Sequence, residues 1–363
     1  MSLDKLRQQL DAIDSEILEL VARRQQLVEH IGSHKATEGR PLRDFAREHE
    51  VIRRGMANAD KLGISNDIAR DILERLIFHS LANQEQRQIV QGARGQGQTA
   101  LVIGGLGRMG GWMARFLNAQ GYVVEIADPG KADSVFPNLG NYQDSSLEHD
   151  VIVVAAPLRA SNAILLDLAR ARPAGLVFDV ASLKSPLKAG LKALQDSGCQ
   201  VTSIHPMFGP DVRMLSGRHV LLVDVGNQAA LDRARELFSH TMAECVDLSL
   251  KEHDQTMAWV LGLSHMLNVA FATTLSGLGE TVPLLRRISS TTFNEQLRIA
   301  SNVVSENPHL YFEIQHFNEE GSGPLEEFDR VIRELMQSVS DGDEQSFASR
   351  MKQANQVLNP DPT

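Results

Sequence analysis

The sequence predicts three consecutive folded parts: an all-α module of three helices, an α/β doubly wound sheet and an all-α C-terminal domain. Three observations predict them. Apolar residues three and four apart run from Leu3 to Ile31, the spacing of one helical face. From residue 99 onward, short β-branched runs alternate with amphipathic helical patterns, which indicates strands joined by crossover helices in a parallel sheet. After about Leu248 the strand signals stop and helix formers take over. The expected boundaries are 1–90, a linker over 91–98, 99–248 and 249–363. A chain of 363 residues is long enough to give each part a core.

The first helix is expected from residue 3 to about 38, where "EGRPLRD" breaks it with glycine and proline. A second runs from about Phe45 to Lys61. A third follows "KLGISND", with Asn66 or Asp67 as its N-cap, and reaches about Arg87. "VQGARGQGQT" is rich in Gly and Gln and reads as a flexible linker. The strand runs are "TALVIGG", "YVVEIAD", "DVIVVAAP", "GLVFDVAS", "CQVTSIHP", "HVLLVDV" and "ECVDLS". The C-terminal helices are interrupted near "GLGETVP" and "NEEGSGP", and no internal repeat is present.

Composition narrows the function. Hydrophobic residues make up 42% and charged residues 23% of the chain, as in globular proteins. The net charge of −10 argues against nucleic acid as a partner. No apolar run looks long enough for a membrane span, and the N-terminus lacks a signal core. Cys199 and Cys245 form no disulfide framework, and no Cys/His spacing suits zinc. The expectation is a reducing, cytoplasmic protein without metal. Charge is uneven. Residues 1–90 hold 14 Lys/Arg against 15 Asp/Glu, about −1, and the remainder 22 against 31, about −9.

The cations of the first segment are oddly placed. Leu3, Leu6, Leu10, Ile13, Ile17, Leu20, Leu27 and Ile31 share one face, and Arg24 and Lys35 fall in the same rhythm. An unpaired buried charge is costly, so cations on a packing seam imply an anion. One Arg alone could snorkel at the edge of the bundle. Here Arg7 lies one position off the stripe, Arg47 opens the second helix beside Asp44 and Glu48, and Ser80 and Gln84 sit four apart on the third. One long helix cannot bury its stripe alone. Pairing two chains would bury it and bring Arg7 of one toward Arg24 of the other, giving an intertwined homodimer with a polycationic pocket.

"LRQQLDAID", "ARRQQLVEHIG", "RPLRDFARE" and "SLANQ" resemble the all-helical chorismate mutase family, in register across nearly all of residues 3–84. The resemblance implies that Arg7 of the partner chain, Arg24, Lys35, Arg47, Glu48, Ser80 and Gln84 line the active site, with Asp44 close by. Chorismate is a dianion, and its rearrangement to prephenate is pericyclic. It needs no nucleophile and no proton transfer, only folding of the substrate and stabilisation of charge on the breaking ether oxygen. Guanidinium forks of Arg7, Arg24 and Arg47 suit the carboxylates. Lys35 and Gln84 would donate to the ether oxygen, and a neutral amide at position 84 donates at any pH.

"LVIGGLGRMGGWMARFL" contains Gly105-Leu106-Gly107-Arg108-Met109-Gly110, matching GxGxxG between a strand and a helix. Gly105 is expected at the tight turn, Gly107 where backbone approaches a pyrophosphate, and Gly110 where helix packs on strand. Arg108 and Met109 sit at the helix start, Arg108 able to contact phosphate. Asp128, 18 residues after Gly110, ends the second strand, where an acid binds the adenosine ribose and disfavours a 2′-phosphate. This makes the α/β part a Rossmann-type domain and the cofactor NAD. Asp128 could instead be only a strand-end residue before Pro129.

A second reaction centre is expected at "SIHPMFGPD", where His205 ends a strand of the same sheet. "DVASLK" could bring Ser182 and Lys184 to the same crevice. The stretches "VIGGLGRMG", "DVASLK", "HPMFGPD" and "EHDQTMAWVLGLSH" resemble the prephenate dehydrogenases. A mutase module ahead of such a domain resembles the bifunctional chorismate mutase–prephenate dehydrogenases. The resemblance implies that His205 takes the proton of the ring hydroxyl as hydride leaves for NAD⁺, with Ser182 hydrogen-bonded to that hydroxyl. Carbon dioxide departs and 4-hydroxyphenylpyruvate forms. It implies a binding or structural role for His253 and His265, tyrosine as feedback inhibitor, and an arginine where this chain has Asn294. Arg298, one turn later, is the expected substitute on the prephenate carboxylate, ahead of Lys184, Arg286 or Arg287. Two rival readings stand beside this one: a silent N-terminal dimerisation or regulatory module on a dehydrogenase, and a nucleotide-binding sensor without dehydrogenase activity.

Overall fold

The computed structural model describes residues 2–279 and 281–360. Contacts divide the chain into two compact units. The first comprises Met1–Ala156, Asp167–Val180 and Ala193–Asp247, and the second comprises Pro157–Leu166, Ala181–Lys192 and Leu248–Thr363.

The first unit begins with α1 (Leu3–Thr37), α2 (Phe45–Leu62) and α3 (Asn66–Gln91). α3 packs on both of the others. Asp44 caps α2 by accepting from Arg47 N, and Gly63 closes it in the left-handed conformation at φ +68°. Ser65, not Asn66 or Asp67, caps α3; all three residue types cap well, and Ser65 is the one left with non-helical backbone. The expected flexible linker is docked. α3 continues to Gln91, Gly95 N donates to the Gln120 carbonyl at 3.0 Å, and a Cβ at Gly95 would stand 2.4 Å from the Tyr122 ring. Gly95 serves close approach, while Gly97 supplies a left-handed turn at φ +80°.

Next come β1 (Thr99–Ile103), α4 (Arg108–Ala119), β2 (Val123–Ala127), β3 (Val151–Val154), α5 (Leu158–Ala171), β4 (Leu176–Asp179), α6 (Lys188–Asp196), β5 (Gln200–Pro206), β6 (His219–Asp224), α7 (Gln228–Glu236) and β7 (Glu244–Ser249). The seven strands form one sheet in the order β2-β1-β3-β4-β5-β6-β7. β1 to β5 are parallel, but β6 runs antiparallel to β5, with His205 opposite Leu221. The wholly parallel expectation fails there because the segment 207–218 returns without a crossover helix. The order reverses between β1 and β3, the switch point at which such sheets bind ligands. The core lies between the sheet and α4 and α7, where Met113, Leu117, Ile126, Phe178 and Leu222 are buried.

The helices of the second unit are α8 (Leu250–Met257), a π-helical turn (Ala258–Leu263), α9 (Ser264–Ser276), α10 (Thr281–Arg287), α11 (Thr291–Val304), α12 (Pro308–His316), α13 (Ser322–Ser340) and α14 (Glu344–Leu358). α9 packs against α11, and the π turn against α12 and α13. The run Leu250–Ser276 is 27 residues long, with an 18-residue window of mean hydropathy 1.3, long and apolar enough to cross a membrane. No unbroken apolar run marks it in the sequence, because Ser264, His265 and Asn268 interrupt the residues after Met257.

Candidate active sites

The mutase-type residues meet along the seam of α1 and α3. Arg24 Nη1 donates to Ser80 Oγ at 2.8 Å and to the Leu76 carbonyl at 3.2 Å. Burial holds its guanidinium pKa below the ordinary arginine value. Ser80 donates to Gln25 Oε1. One turn on, Gln84 Nε2 donates to the Val28 carbonyl at 2.8 Å, leaving its second N–H. Gly32 makes room for it: a Cβ there would lie 3.0 Å from Gln84 Nε2. Lys35 Nζ donates to the Leu42 carbonyl at 2.7 Å, and Leu42, Gly32 and Gln84 line a cavity of about 40 Å³. That volume holds a few waters at about 10–15 Å³ each, not a cyclic dianion.

The remaining predicted members lie outside this line. Arg7 is exposed, with Asp4 at 3.9 Å. Arg47 pairs with Glu50 at 2.6 Å, and Asp44 is the α2 cap. Glu48 receives a two-pronged ion pair from Arg43 at 3.0 and 3.1 Å. Arg43 was not singled out from sequence; its partner five residues on is a contact between a loop and a helix, which periodicity does not register.

Residues 3–20 of α1 are exposed throughout. At 1.5 Å per residue α1 is about 52 Å long, and among the described residues nothing covers its first half. Leu10, Ile13 and Leu20 are 58%, 51% and 65% exposed.

The glycine loop lies at the switch point. The left-handed turn is at Gly104, φ +85°, one residue before the expected Gly105. Gly105 is small for another reason: a Cβ would meet Ile126 at 2.4 Å. A Cβ on Gly110 would strike the Gly104 carbonyl oxygen at 2.1 Å, as close helix–strand packing requires. Gly107 is the N-cap of α4 and no side chain caps it, so the helix N-terminus opens toward a cleft of about 460 Å³. Gly105, Leu106, Gly107, Arg108, Arg115 and Val135 are among the residues lining it. Arg108 donates to Asp211 at 2.6 Å, and Met109 packs on the core. Asp128 accepts from Leu106 N at 3.1 Å and Gly130 N at 2.9 Å, which clamps the loop to the end of β2 and leaves lone pairs for a diol. A cationic, capless helix start, room only for glycine and an acid at the second strand fit a dinucleotide without a 2′-phosphate. Arg115, one more cation on α4, and the 133–136 edge were missed, the latter because an irregular segment carries no period.

His205 is buried near the end of β5. On the same sheet Ser203 Oγ donates to Asp179 Oδ2 at 2.5 Å, both fully buried.

In the second unit Ser182 is half-buried. Lys184 is fully buried and its ammonium donates to the Ala181 carbonyl at 2.8 Å. Asp254 organises this turn. It accepts from Lys184 N at 2.9 Å, Ser185 N at 2.5 Å and Ser185 Oγ, and pairs with His253 Nδ1 at 2.7 Å. Burial alone would raise its pKa, but the hydrogen bonds from His253, Ser185 and Lys184 outweigh that and hold it below the ordinary aspartate value. His253 and His265 are twelve residues apart, about 120° around an ideal α-helix. The π turn absorbs one residue and leaves them roughly 20° apart, nearly on one face. His265 stacks at 4.3 Å from the Tyr311 ring, and burial lowers its pKa. Arg298, the expected substitute clamp, is exposed and paired with Glu295 at 2.8 Å. Asn294 accepts from Ser289 Oγ at 2.6 Å.

Comparison with known proteins fits this division. Residues 6–85 match the model for chorismate mutase type II. Residues 128–247 match the prephenate dehydrogenase nucleotide-binding domain, and 249–353 its dimerization domain. The T-protein of Enterobacter agglomerans is 25% identical over 358 residues, 98% of this chain and 92% of that one. The T-protein of Haemophilus influenzae is 27% identical over 353 residues, 95% and 89% of the two chains. The fold from the sheet onward is that of the Aquifex aeolicus prephenate dehydrogenase in complex with hydroxyphenyl propionate and NAD⁺, at TM-score 0.60 and 18% identity over 71% of this chain and 96% of that one. Synechocystis arogenate dehydrogenase has the same fold, at TM-score 0.56 and 18% identity over 72% and 99%. With a type II mutase module ahead of both parts of a prephenate dehydrogenase, the chain belongs to the family of bifunctional chorismate mutase–prephenate dehydrogenases.

Proposed function

We propose that the two activities are carried by the residues the sequence singles out. The enzyme rearranges chorismate to prephenate, then oxidises and decarboxylates prephenate to 4-hydroxyphenylpyruvate with NAD⁺. The observation that carries the mutase assignment is the line Arg24–Ser80–Gln84–Lys35 along one seam. A retired module could keep its helices with apolar side chains at these positions, which disfavours the silent-module alternative. Arg24 and Arg47 grip carboxylates, with Arg7 supplied by a second copy of the chain. Lys35 and the free N–H of Gln84 meet the ether oxygen as it gains charge. The exposed stripe of residues 3–20 and the small single-chain cavity support a homodimer in which each site takes a residue from both copies.

In the dehydrogenase half, Gly105, Gly107, Arg108, Met109, Gly110 and Asp128 hold NAD, which supplies the hydride acceptor. His205 takes the ring-hydroxyl proton as hydride leaves and returns it to the phenolate oxygen once the ring is aromatic, and Ser182 hydrogen-bonds that hydroxyl. The C–C bond to the carboxylate breaks as hydride leaves, and its electron pair completes the aromatic ring. Lys184, His265 and Arg298 contribute to substrate binding, and tyrosine acts as feedback inhibitor. The free cysteines Cys199 and Cys245 support a reducing, cytoplasmic location.

One assay tests the whole reading: chorismate given to the purified protein with and without NAD⁺. Chorismate loss is expected in both cases and NADH only with NAD⁺. No loss of chorismate would establish the silent module, and no NADH from added prephenate would establish the sensor.

A further inference from the structure

The nucleotide-binding domain reaches the mutase residues. Arg43 lies in the loop between α1 and α2. Its Nε and Nη2 donate to the two carboxylate oxygens of Glu48, and its Nη1 donates to Ser216 Oγ at 2.8 Å. Its guanidinium carbon stands 4.3 Å from the Phe45 ring centroid. Every arm of the fork is engaged, which fixes one rotamer. Ser216 belongs to the segment 207–218 between β5 and β6, the segment whose Pro210 and Asp211 line the dinucleotide cleft.

A second clamp grips the neighbouring residue. Glu85 is 2% exposed and follows Gln84 directly. Its carboxylate accepts from Leu215 N at 2.7 Å and Met242 N at 2.5 Å. Successive helical residues differ by about 100°, so Gln84 faces α1 while Glu85 faces the sheet domain. Burial raises the pKa of Glu85, and the two backbone N–H groups only partly offset it. A buried carboxylate costs stability unless it is well satisfied, so this one is explained by what it holds.

Electrostatics gives the reason for Arg43. Glu48 places a negative charge where a dianion must bind. A guanidinium fork cancels that charge and orients the carboxylate, whose remaining lone pairs can accept a substrate hydroxyl. The fork is itself held from the nucleotide-binding side. We propose that Arg43 is a positioning residue of the mutase site, and that Ser216 and Glu85 make segment 207–218 part of that site's scaffold. The mutase module is then not self-sufficient: the domain behind it sets the orientation of Glu48. This rests on the assignment of Glu48 and Gln84 to the chorismate site.

The test uses the full-length enzyme and the substitutions Ser216→Ala, Ser216→Thr and Glu48→Gln. Ser216→Ala removes one hydrogen bond to a charged group and is expected to raise KM for chorismate roughly threefold to tenfold, with a smaller change in kcat. Ser216→Thr keeps the hydroxyl and restores KM. NADH formation from prephenate is unchanged in both, a split that a general loss of structure would not produce. If Glu48→Gln impairs the mutase and Ser216→Ala does not, the proposal is overturned and the site assignment survives. If Glu48→Gln leaves the mutase intact, the assignment falls first and takes the proposal with it.

Discussion

Replacing Asp254 with asparagine tests how the second unit holds the turn that carries Ser182 and Lys184. Four donors converge on this carboxylate, two on each oxygen: Lys184 N and His253 Nδ1 on Oδ1, Ser185 N and Ser185 Oγ on Oδ2. Asparagine offers one acceptor oxygen and one donor NH₂. Whichever way the amide turns, one backbone N–H faces a donor. The Ser185 hydroxyl can rotate and His253 can change tautomer, so one orphaned N–H is the least possible damage. A buried unsatisfied donor costs about 1–3 kcal/mol, and lost charge-assisted bonds add about as much. Relief from burying a charge returns part of it, for a net cost of about 2–4 kcal/mol. Because the cost falls on the turn at 181–185, prephenate oxidation should drop roughly 30-fold or more at 1.4 kcal/mol per factor of ten, while chorismate loss in the same preparation stays near wild type. The pH dependence has a definite sign. A carboxylate whose folded pKa lies below its ordinary value of 3.8 contributes stability above that value and loses it as pH falls through the folded pKa. Thermal melts of the wild type should therefore lose stability below about pH 4 more steeply than those of Asp254→Asn. Unchanged dehydrogenase kinetics, or equal loss of both activities, would refute the reasoning.

Other expectations are simpler. His205→Asn should abolish NADH formation and leave chorismate turnover intact; a joint fall with the fold preserved by circular dichroism would contradict two separate sites. The mutase rate should be flat from mildly acidic to neutral pH, because Gln84 donates without being protonated, whereas Gln84→Glu should impose a decline with rising pH. Gly110→Ala would place a Cβ 2.1 Å from the Gly104 oxygen. Overpacking of about 1–3 kcal/mol corresponds to a fivefold to hundredfold rise in KM for NAD⁺, read as NADH formation against cofactor concentration. Ile13→Asp puts a charge on the exposed stripe, where burial of a half-exposed Ile contributes about 1 kcal/mol per copy. Mutase activity should then become dependent on protein concentration in dilution assays, while a stripe that meets solvent in the active enzyme would show no such effect.

The parts that were legible in the sequence are those written in local spacing. The α1 stripe, the glycine turn and the strand runs each fit within a few turns or a few residues, so period and turn chemistry exposed them. Even there the turn slipped by one: GxGxxG fits only from Gly105, yet the left-handed turn falls on Gly104, which the pattern does not mark, and Gly105 is small because Ile126 approaches it. What stayed hidden depends on partners far along the chain. Arg43 meets Ser216 across 173 residues, Glu85 meets Leu215 across 130, and Asp254 meets Ser185 across 69. These three charged residues carry no periodic mark, yet Arg43 grips Glu48, Glu85 holds the backbone at Leu215 and Met242, and Asp254 holds the turn of Ser182 and Lys184. The π turn at 258–263 is similar: nothing in "AWVLGL" announces it, yet it rotates His265 toward the face of His253. The chemistry-bearing groups were therefore visible as residue types, while the groups that aim them were not. A variant series confined to the visible set would measure which atoms touch substrate. Substitutions at Arg43, Glu85 and Asp254, or at partners such as Ser216, measure how one chain keeps two unlike reactions in working geometry.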